Sequence, residues 1–172
     1  MEHVVGSASL RRVGVLRFPI SVLVREDRVR GEEVMARLGR DGWLRVFFGP
    51  GRRVELADGT PWRVAATGSG ACIVPVVTCE RGKLAVAEPS GQRSYGVNGP
   101  DYAYNLYPSN PAGPGMRAWT LREHDTELAT FGSRSMYADH PVPLAAVLVC
   151  FTVIKYGVPG EASMFVPQFR WA

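Results

Sequence analysis

Apolar and polar positions alternate along most of this chain, and the alternation gives way over 141–154, where fourteen consecutive residues carry no charge. Val142, Val147, Val149, Thr152, Val153 and Ile154 are β-branched and by propensity favour a strand, so a long strand over 147–156 is one reading. Punctuation and length favour the other. Asp139 suits an N-cap, Pro141 the first helical position, Gly157 the left-handed residue after the end, and Pro159 a stop. A buried strand runs only about four to eight residues. The pattern therefore predicts a helix over 141–156. At 100° per residue, Leu144, Leu148, Val149, Val153, Cys150 and Phe151 point in every direction, leaving no polar face. Such a helix is a membrane span or the centre of a folded domain. Fourteen residues reach roughly 21 Å, short of the ~30 Å hydrocarbon core, which favours the domain centre.

Before this helix the chain reads as short strands joined by turns. The segment 13–24 supplies one or two strands broken at Pro19, and residues 1–12 read as loosely held. Val34, Met35 and Leu38 share one side of a short helix predicted over 32–38, with Gly39 as its stop. Strands are predicted at 43–48, closed by Gly49-Pro50-Gly51, and at 53–56 and 61–66 across Asp58-Gly59. Further strands at 71–79 and 83–88 meet at Arg81-Gly82, and Ser90-Gly91 turns the chain again. The segment 95–115 is the least regular, with a tyrosine-rich strand at 102–107. Strands at 116–122 and 126–131 flank His124-Asp125, and 163–171 suits an edge strand. The connections are too short for parallel crossovers, so neighbouring strands are antiparallel.

These elements predict one domain over 1–172, mostly β: a closed antiparallel barrel of about nine to twelve strands around a central C-terminal hydrophobic helix. A barrel abolishes its own edges and needs a filling. A β-sandwich with one helix across its end is the alternative.

Composition sharpens this picture only in part. A chain of 172 residues, 46% hydrophobic, with nineteen glycines and thirteen prolines suits a single turn-rich core. Residues 1–53 hold eleven arginines against six carboxylates, whereas the remainder holds nine cations and ten carboxylates. Arg11, Arg12, Arg17, Arg52 and Arg53 are thus candidates for binding an anionic lipid or another anion. Eighteen of the twenty basic residues are arginine, which equally fits a coding bias. Cys72, Cys79 and Cys150 are too few for a disulfide framework and read as buried thiols of a cytoplasmic protein. No signal peptide is expected, because Glu2 comes before any basic residue and Arg17 and Pro19 interrupt the apolar stretch 13–24.

Signatures of chemistry are sparse. Gly49-x-Gly51 and Gly68-x-Gly70 lack the third glycine and helix of a phosphate loop, and there is no G-x-S-x-G elbow. His3, His124 and His140 fall in no zinc spacing, and no C-x-x-C occurs, so neither metal nor cofactor is expected. A thiol nucleophile at Cys79 would need His124 within hydrogen-bond reach. Arg93, Tyr95, Tyr102, Tyr104 and Tyr107 form the densest aromatic and polar cluster and are the candidate ligand contacts. Cross-strand packing is their other reading.

A train of antiparallel hairpins ending in a hydrophobic helix resembles the tubby C-terminal-like superfamily, in particular its LURP-one-related and phospholipid-scramblase-like members. The resemblance spans about 40–157. It rests on Arg53-Val54-Glu55-Leu56-Ala57-Asp58-Gly59 before Trp62-Arg63-Val64, on Trp119-Thr120-Leu121 and Leu128-Ala129-Thr130-Phe131, and on the stretch 139–154. It implies a last helix threaded through a closed barrel, and membrane association through basic side chains that meet phosphoinositides. The chain departs from those relatives in lacking lysine-rich stretches and a longer apolar tail.

Two functional classes remain. One is a non-enzymatic barrel, cytoplasmic and peripheral to the membrane, that binds an anionic lipid, a small apolar ligand or a protein partner. The other is a cofactor-independent isomerase or cyclase that uses the barrel interior as an apolar cavity. Nucleic acid is disfavoured, because the arginines are interleaved with Glu and Asp.

Overall fold

The computed structural model describes residues 2–13, 20–27, 31–39, 51–67, 73–91, 94–109 and 118–156. The described chain holds β1 (His3–Val13), β2 (Ile20–Asp27), β3 (Gly31–Leu38), β4 (Arg52–Leu56), β5 (Pro61–Thr67) and β6 (Val74–Cys79). After these come β7 (Gly82–Gly91), β8 (Ser94–Asn98), β9 (Ala103–Ser109), β10 (Ala118–Glu123), β11 (Thr126–Phe131) and β12 (Ser135–Pro143), followed by the helix α1 (Leu144–Tyr156). Each strand pairs antiparallel with its neighbours in sequence, and β12 returns to β1, so the sheet is a closed twelve-stranded barrel.

Period-two alternation aims one row of side chains from each strand into this barrel. Trp62, Val64 and Ala66 are buried along β5, Tyr95 and Val97 along β8, and Tyr104 and Leu106 along β9. An eight-stranded barrel is filled by its own side chains; a wider one needs a ligand, water or another element inside. Here α1 is that element. Every residue from Leu144 to Phe151 is buried, and those eight positions cover the whole circumference of a helix. A helix suits a dry interior because its backbone hydrogen bonds are satisfied within itself. Its one inner hydroxyl, Thr152, donates to the Leu148 carbonyl at 2.8 Å. Phe151 meets Phe131 of β11 edge to face, the rings 5.4 Å apart and inclined by 80°.

The helix starts later than its sequence signals suggest. Asp139 and Pro141 belong to β12, not to a cap and first turn, and His140 lies exposed on the same strand. A register shift between Val4 and Gly6 places Pro141 where the ladder is interrupted, so its missing N–H costs nothing there. Gly6, at φ 78°, supplies the left-handed backbone of this irregularity. The first helical N–H, that of Leu144, donates to the Glu2 carbonyl at 2.8 Å, so the beginning of β1 does the capping.

The segment 32–38 is strand β3, not a helix. Its ladder with β2 shifts register between Leu23 and Val24, leaving Met35 as an extra residue. Met35 and Ala36 are consequently both buried, with Leu38 beyond them. A bulge of this kind breaks the period of two and imitates a helical stripe. The stretch 1–12, expected to be loosely held, contains most of β1, the strand that closes the barrel against β12. The strand predicted at 43–48, the edge strand at 163–171, Cys72, Arg17 and Arg93 lie outside the described residues.

Alternating strand direction gives the barrel two unlike ends. At the turn end, β2–β3, β4–β5, β6–β7, β8–β9 and β10–β11 are joined through 28–30, 57–60, 80–81, 99–102 and 124–125, and α1 enters. At the loop end the connections range from 92–93 and 132–134 to 14–19, 39–51 and 110–117, and α1 leaves with Lys155 exposed.

Candidate anion-binding surface

With α1 in the barrel, the predicted tyrosine contacts become wall and core. Tyr95 and Tyr104 are 2% and 8% exposed and belong to the hydrophobic core, which decides for packing over ligand contact. Tyr95 lies 6.5 Å from Trp119, and the Tyr104 ring stacks on Tyr102 at 4.9 Å. Tyr102 is half-buried, and its hydroxyl donates to the Leu84 carbonyl at 3.1 Å. Burial, reinforced by Cys150 and Tyr104, raises its pKa strongly, so the phenol stays protonated. Tyr107 points the other way and is exposed.

Cys79 and His124 both sit at the turn end, but β7, β8 and β9 lie between their strands β6 and β10. Four strand spacings of about 4.8 Å separate them around the wall, far outside hydrogen-bond reach. The Cys79 sulfur instead accepts the Arg81 N–H at 3.3 Å. Cys79 is half-buried and Cys150 fully buried. Among the described residues no three His, Cys, Asp or Glu side chains gather as a metal site, and no helix is long and apolar enough to cross a membrane.

The candidate arginines divide according to what the barrel does with each. Arg52 shares the inward face of Val54 and Leu56, is buried, and donates from Nε to the Gly39 carbonyl at 2.7 Å. It is a structural residue, not part of an exposed anion site. Arg11 is exposed but bridges Glu26 at 2.8 Å and Glu32 at 2.6 Å. Those two carboxylates face each other across β2 and β3, a repulsive pair that Arg11 neutralises from β1. Its hydrogen bonds to Glu32 and Glu26 raise its own pKa. Arg25 pairs with Glu33, and Arg122 with Glu127 at 3.6 Å, in the same internal fashion.

Arg12 and Arg53 remain exposed on the outer wall, and sequence reasoning missed the partner the fold gives Arg53. Across the β4–β5 hairpin Arg53 lies directly opposite Arg63, also exposed. The row continues to Thr78 of β6 and Lys83 of β7. On its other side, Gly39 donates its N–H to the Arg53 carbonyl at 2.8 Å. Gly39, Arg53, Arg63, Thr78 and Lys83 thus hold three cations and no carboxylate across neighbouring strands. Arg53 and Arg63 thereby stand side by side on the outer wall. The signal was legible: Asp58-Gly59 fixes the hairpin, and the hairpin fixes which residue stands opposite Arg53. A shallow depression of about 170 Å³ nearby is lined by Val34, Arg37, Glu55, Leu56, Ala57 and Gly59. There Arg37 faces Glu55 across the ladder, so it has no excess of positive charge.

At the turn end, carboxylates lie near one another around Glu2. Burial first, then Asp58 and Glu33, raise the pKa of Glu2 above its ordinary 4.5. A carboxyl raised in the folded state destabilises that state once ionised. The cost is absent well below pH 4.5, grows as the pH rises through the ordinary and then the raised value, and is constant above. Glu2→Gln is therefore expected to melt above the parent chain at pH 7, with the difference vanishing in acid. Thermal melts of both chains at the two pH values check this, and a lower melting point for Glu2→Gln at pH 7 would contradict it. The capping carbonyl of Glu2 is main chain and survives the substitution.

Compared with known proteins, the chain matches no family model, no curated protein and no solved structure.

Proposed function

We propose that this chain is a non-enzymatic, tubby-like barrel of the cytoplasm that binds an anionic lipid surface peripherally through basic side chains on its outside. The observation that carries the reading is the alignment of the exposed Arg53, Arg63 and Lys83 across neighbouring strands of a barrel whose centre is occupied by α1. Of the polar side chains that an interior enzyme site would use, Tyr104 lies in the core and Tyr102 donates its hydroxyl to the Leu84 carbonyl, which favours the outer wall as the place of contact. A small apolar ligand or a protein partner would have to be met on the outer wall as well. Arginine suits phosphate headgroups because its planar fork donates two parallel hydrogen bonds.

Co-sedimentation with vesicles tests this. The chain is expected to bind phosphatidylcholine vesicles containing phosphatidylserine at about 0.1 M salt and to leave them at about 1 M, as the screening length falls from about 10 Å to about 3 Å. Each basic residue near an anionic leaflet contributes about 1 kcal/mol, so Arg12→Glu with Arg53→Glu is expected to weaken partitioning at least about tenfold. Equal binding to pure phosphatidylcholine, or no binding, would refute the reading.

A further inference from the structure

The barrel wall steps down between β3 and β4. The ladder of β3 with β2 runs on to the pair Gly31 and Asp27, whereas its ladder with β4 covers Ala36, Arg37 and Leu38. One further hydrogen bond joins β3 to the hairpin, from the Ala57 N–H to the Met35 carbonyl at 3.0 Å. Residues 31–34 then run past the end of the β4–β5 hairpin, and among the described residues no strand pairs with them on that side.

The hairpin cannot extend to meet them, because its turn is closed on itself. The Leu56 N–H donates to the Thr60 carbonyl and the Gly59 N–H to the Leu56 carbonyl, both at 3.0 Å, and the Thr60 N–H donates to the Asp58 carboxylate at 2.8 Å. Along a strand, alternate residues turn their N–H and C=O groups to either edge, so half of those in 31–34 face the side where β4 has ended. Four residues at ~3.3 Å each make an edge about 13 Å long.

The depression described above lies at the same step. Val34, 38% exposed, lines it together with Leu56, Ala57 and Gly59, and Arg37 and Glu55 face each other beside them. Its volume of about 170 Å³ suits one aliphatic side chain or small ring, since a cavity of about 150 Å³ holds benzene. A strand laid along 31–34 turns every second side chain to the outer face, and one of them falls beside Val34, over the depression.

The carboxylates of the edge argue against a second copy as that strand. Two copies joined antiparallel through residues 31–34, each continuing the other's outer face, set Glu32 opposite Glu32 or Glu33 opposite Glu33, like charge against like. Arg11 and Arg25 hold these carboxylates from β1 and β2, on the far side of β3 from such a joint. Charged side chains of this kind guard strand edges against self-pairing.

We infer that residues 31–34 of β3 and the adjoining depression receive an extended peptide of another protein, added to the wall as a strand with an aliphatic side chain over the depression. The site uses neither Arg53 nor Arg63, so it is separate from the lipid-surface reading.

The test is a titration of the full chain, labelled with nitrogen-15, by a synthetic peptide of alternating valine and lysine. A copy methylated at every backbone nitrogen keeps its charges and loses its donors. With the first peptide, amide signals within 31–34 are expected to shift and their hydrogen exchange to slow several-fold, while the methylated copy leaves them unchanged. Val34→Lys, at an exposed position that leaves the core intact, is expected to weaken the binding several-fold. Equal binding of both peptides, shifts confined to other strands, or no binding overturns the proposal. Slowed exchange in 31–34 that grows with protein concentration and needs no peptide also overturns it, since the occupant is then a second copy.

Discussion

A Val149→Asp chain is expected to show no cooperative thermal transition. Val149 is 0% exposed at the middle of α1, with barrel wall or helix on every side. Holding the new carboxyl protonated at pH 7 costs about 4 kcal/mol, at 1.36 kcal/mol for each of about three pH units. Burying a hydroxyl with no partner adds about 2–7 kcal/mol. That is about the whole stability of an ordinary domain, about 5–15 kcal/mol. Val149→Ala, which removes only two buried methyl groups, is expected to cost about 2 kcal/mol and still fold. Near-UV circular dichroism and thermal melts separate the three chains. A near-native cooperative melt for Val149→Asp would mean that this face of α1 reaches water.

Phe131→Ala is the second large effect. Phe131 is 1% exposed on β11 and meets Phe151 of α1 across the lumen wall. Removing a buried ring leaves a cavity that the closed barrel cannot collapse, at a cost of about 3–5 kcal/mol, and Phe151→Ala falls in the same range. The edge-to-face pair is expected to appear as a coupling of about 0.5–1.5 kcal/mol in a double-mutant cycle measured by urea denaturation. Additive losses would show that wall and helix do not touch at this point.

Much of the architecture was legible because its strongest signals are physical necessities. An all-apolar helix too short for a bilayer must be enclosed, and a train of hairpins can enclose it only by closing. The turns at Asp58-Gly59 and His124-Asp125 lie where strand alternation changes direction, and β11 has the bounds its pattern predicts. What escaped did so where alternation fails. The bulge at Met35 made β3 look helical, and β1 looked unstructured because Gly6, Ser7, Ser9, Arg11 and Arg12 blur its alternation. β12 itself was hidden by Asp139 and Pro141, whose types suit a helix start as well as an interrupted ladder.

The site was legible in its chemistry and not in its arrangement. The basic excess is plain from composition, but period two alone already separates Arg52 from Arg53, since Val54 and Leu56 are the inward pair. The pairing of Arg53 with Arg63 follows from the hairpin. The engagement of Arg11 by Glu26 and Glu32 does not, because it joins three strands in tertiary register. The tyrosines misled for a simpler reason. Tyr102, just before β9, and Tyr104 on it pack against the core while Tyr107 faces out, so closeness in sequence gave no common surface.

The central claim is that α1 is the filling of a closed barrel, and Cys150 reports on it directly. Its thiol is 0% exposed and its pKa is raised by burial, so it reacts only when the barrel opens. In a chain with Cys72 and Cys79 changed to serine, alkylation of Cys150 is expected to proceed at the rate set by global unfolding and to accelerate with urea in step with it. Modification in native buffer as fast as that of a half-buried thiol such as Cys79 would contradict the enclosed helix.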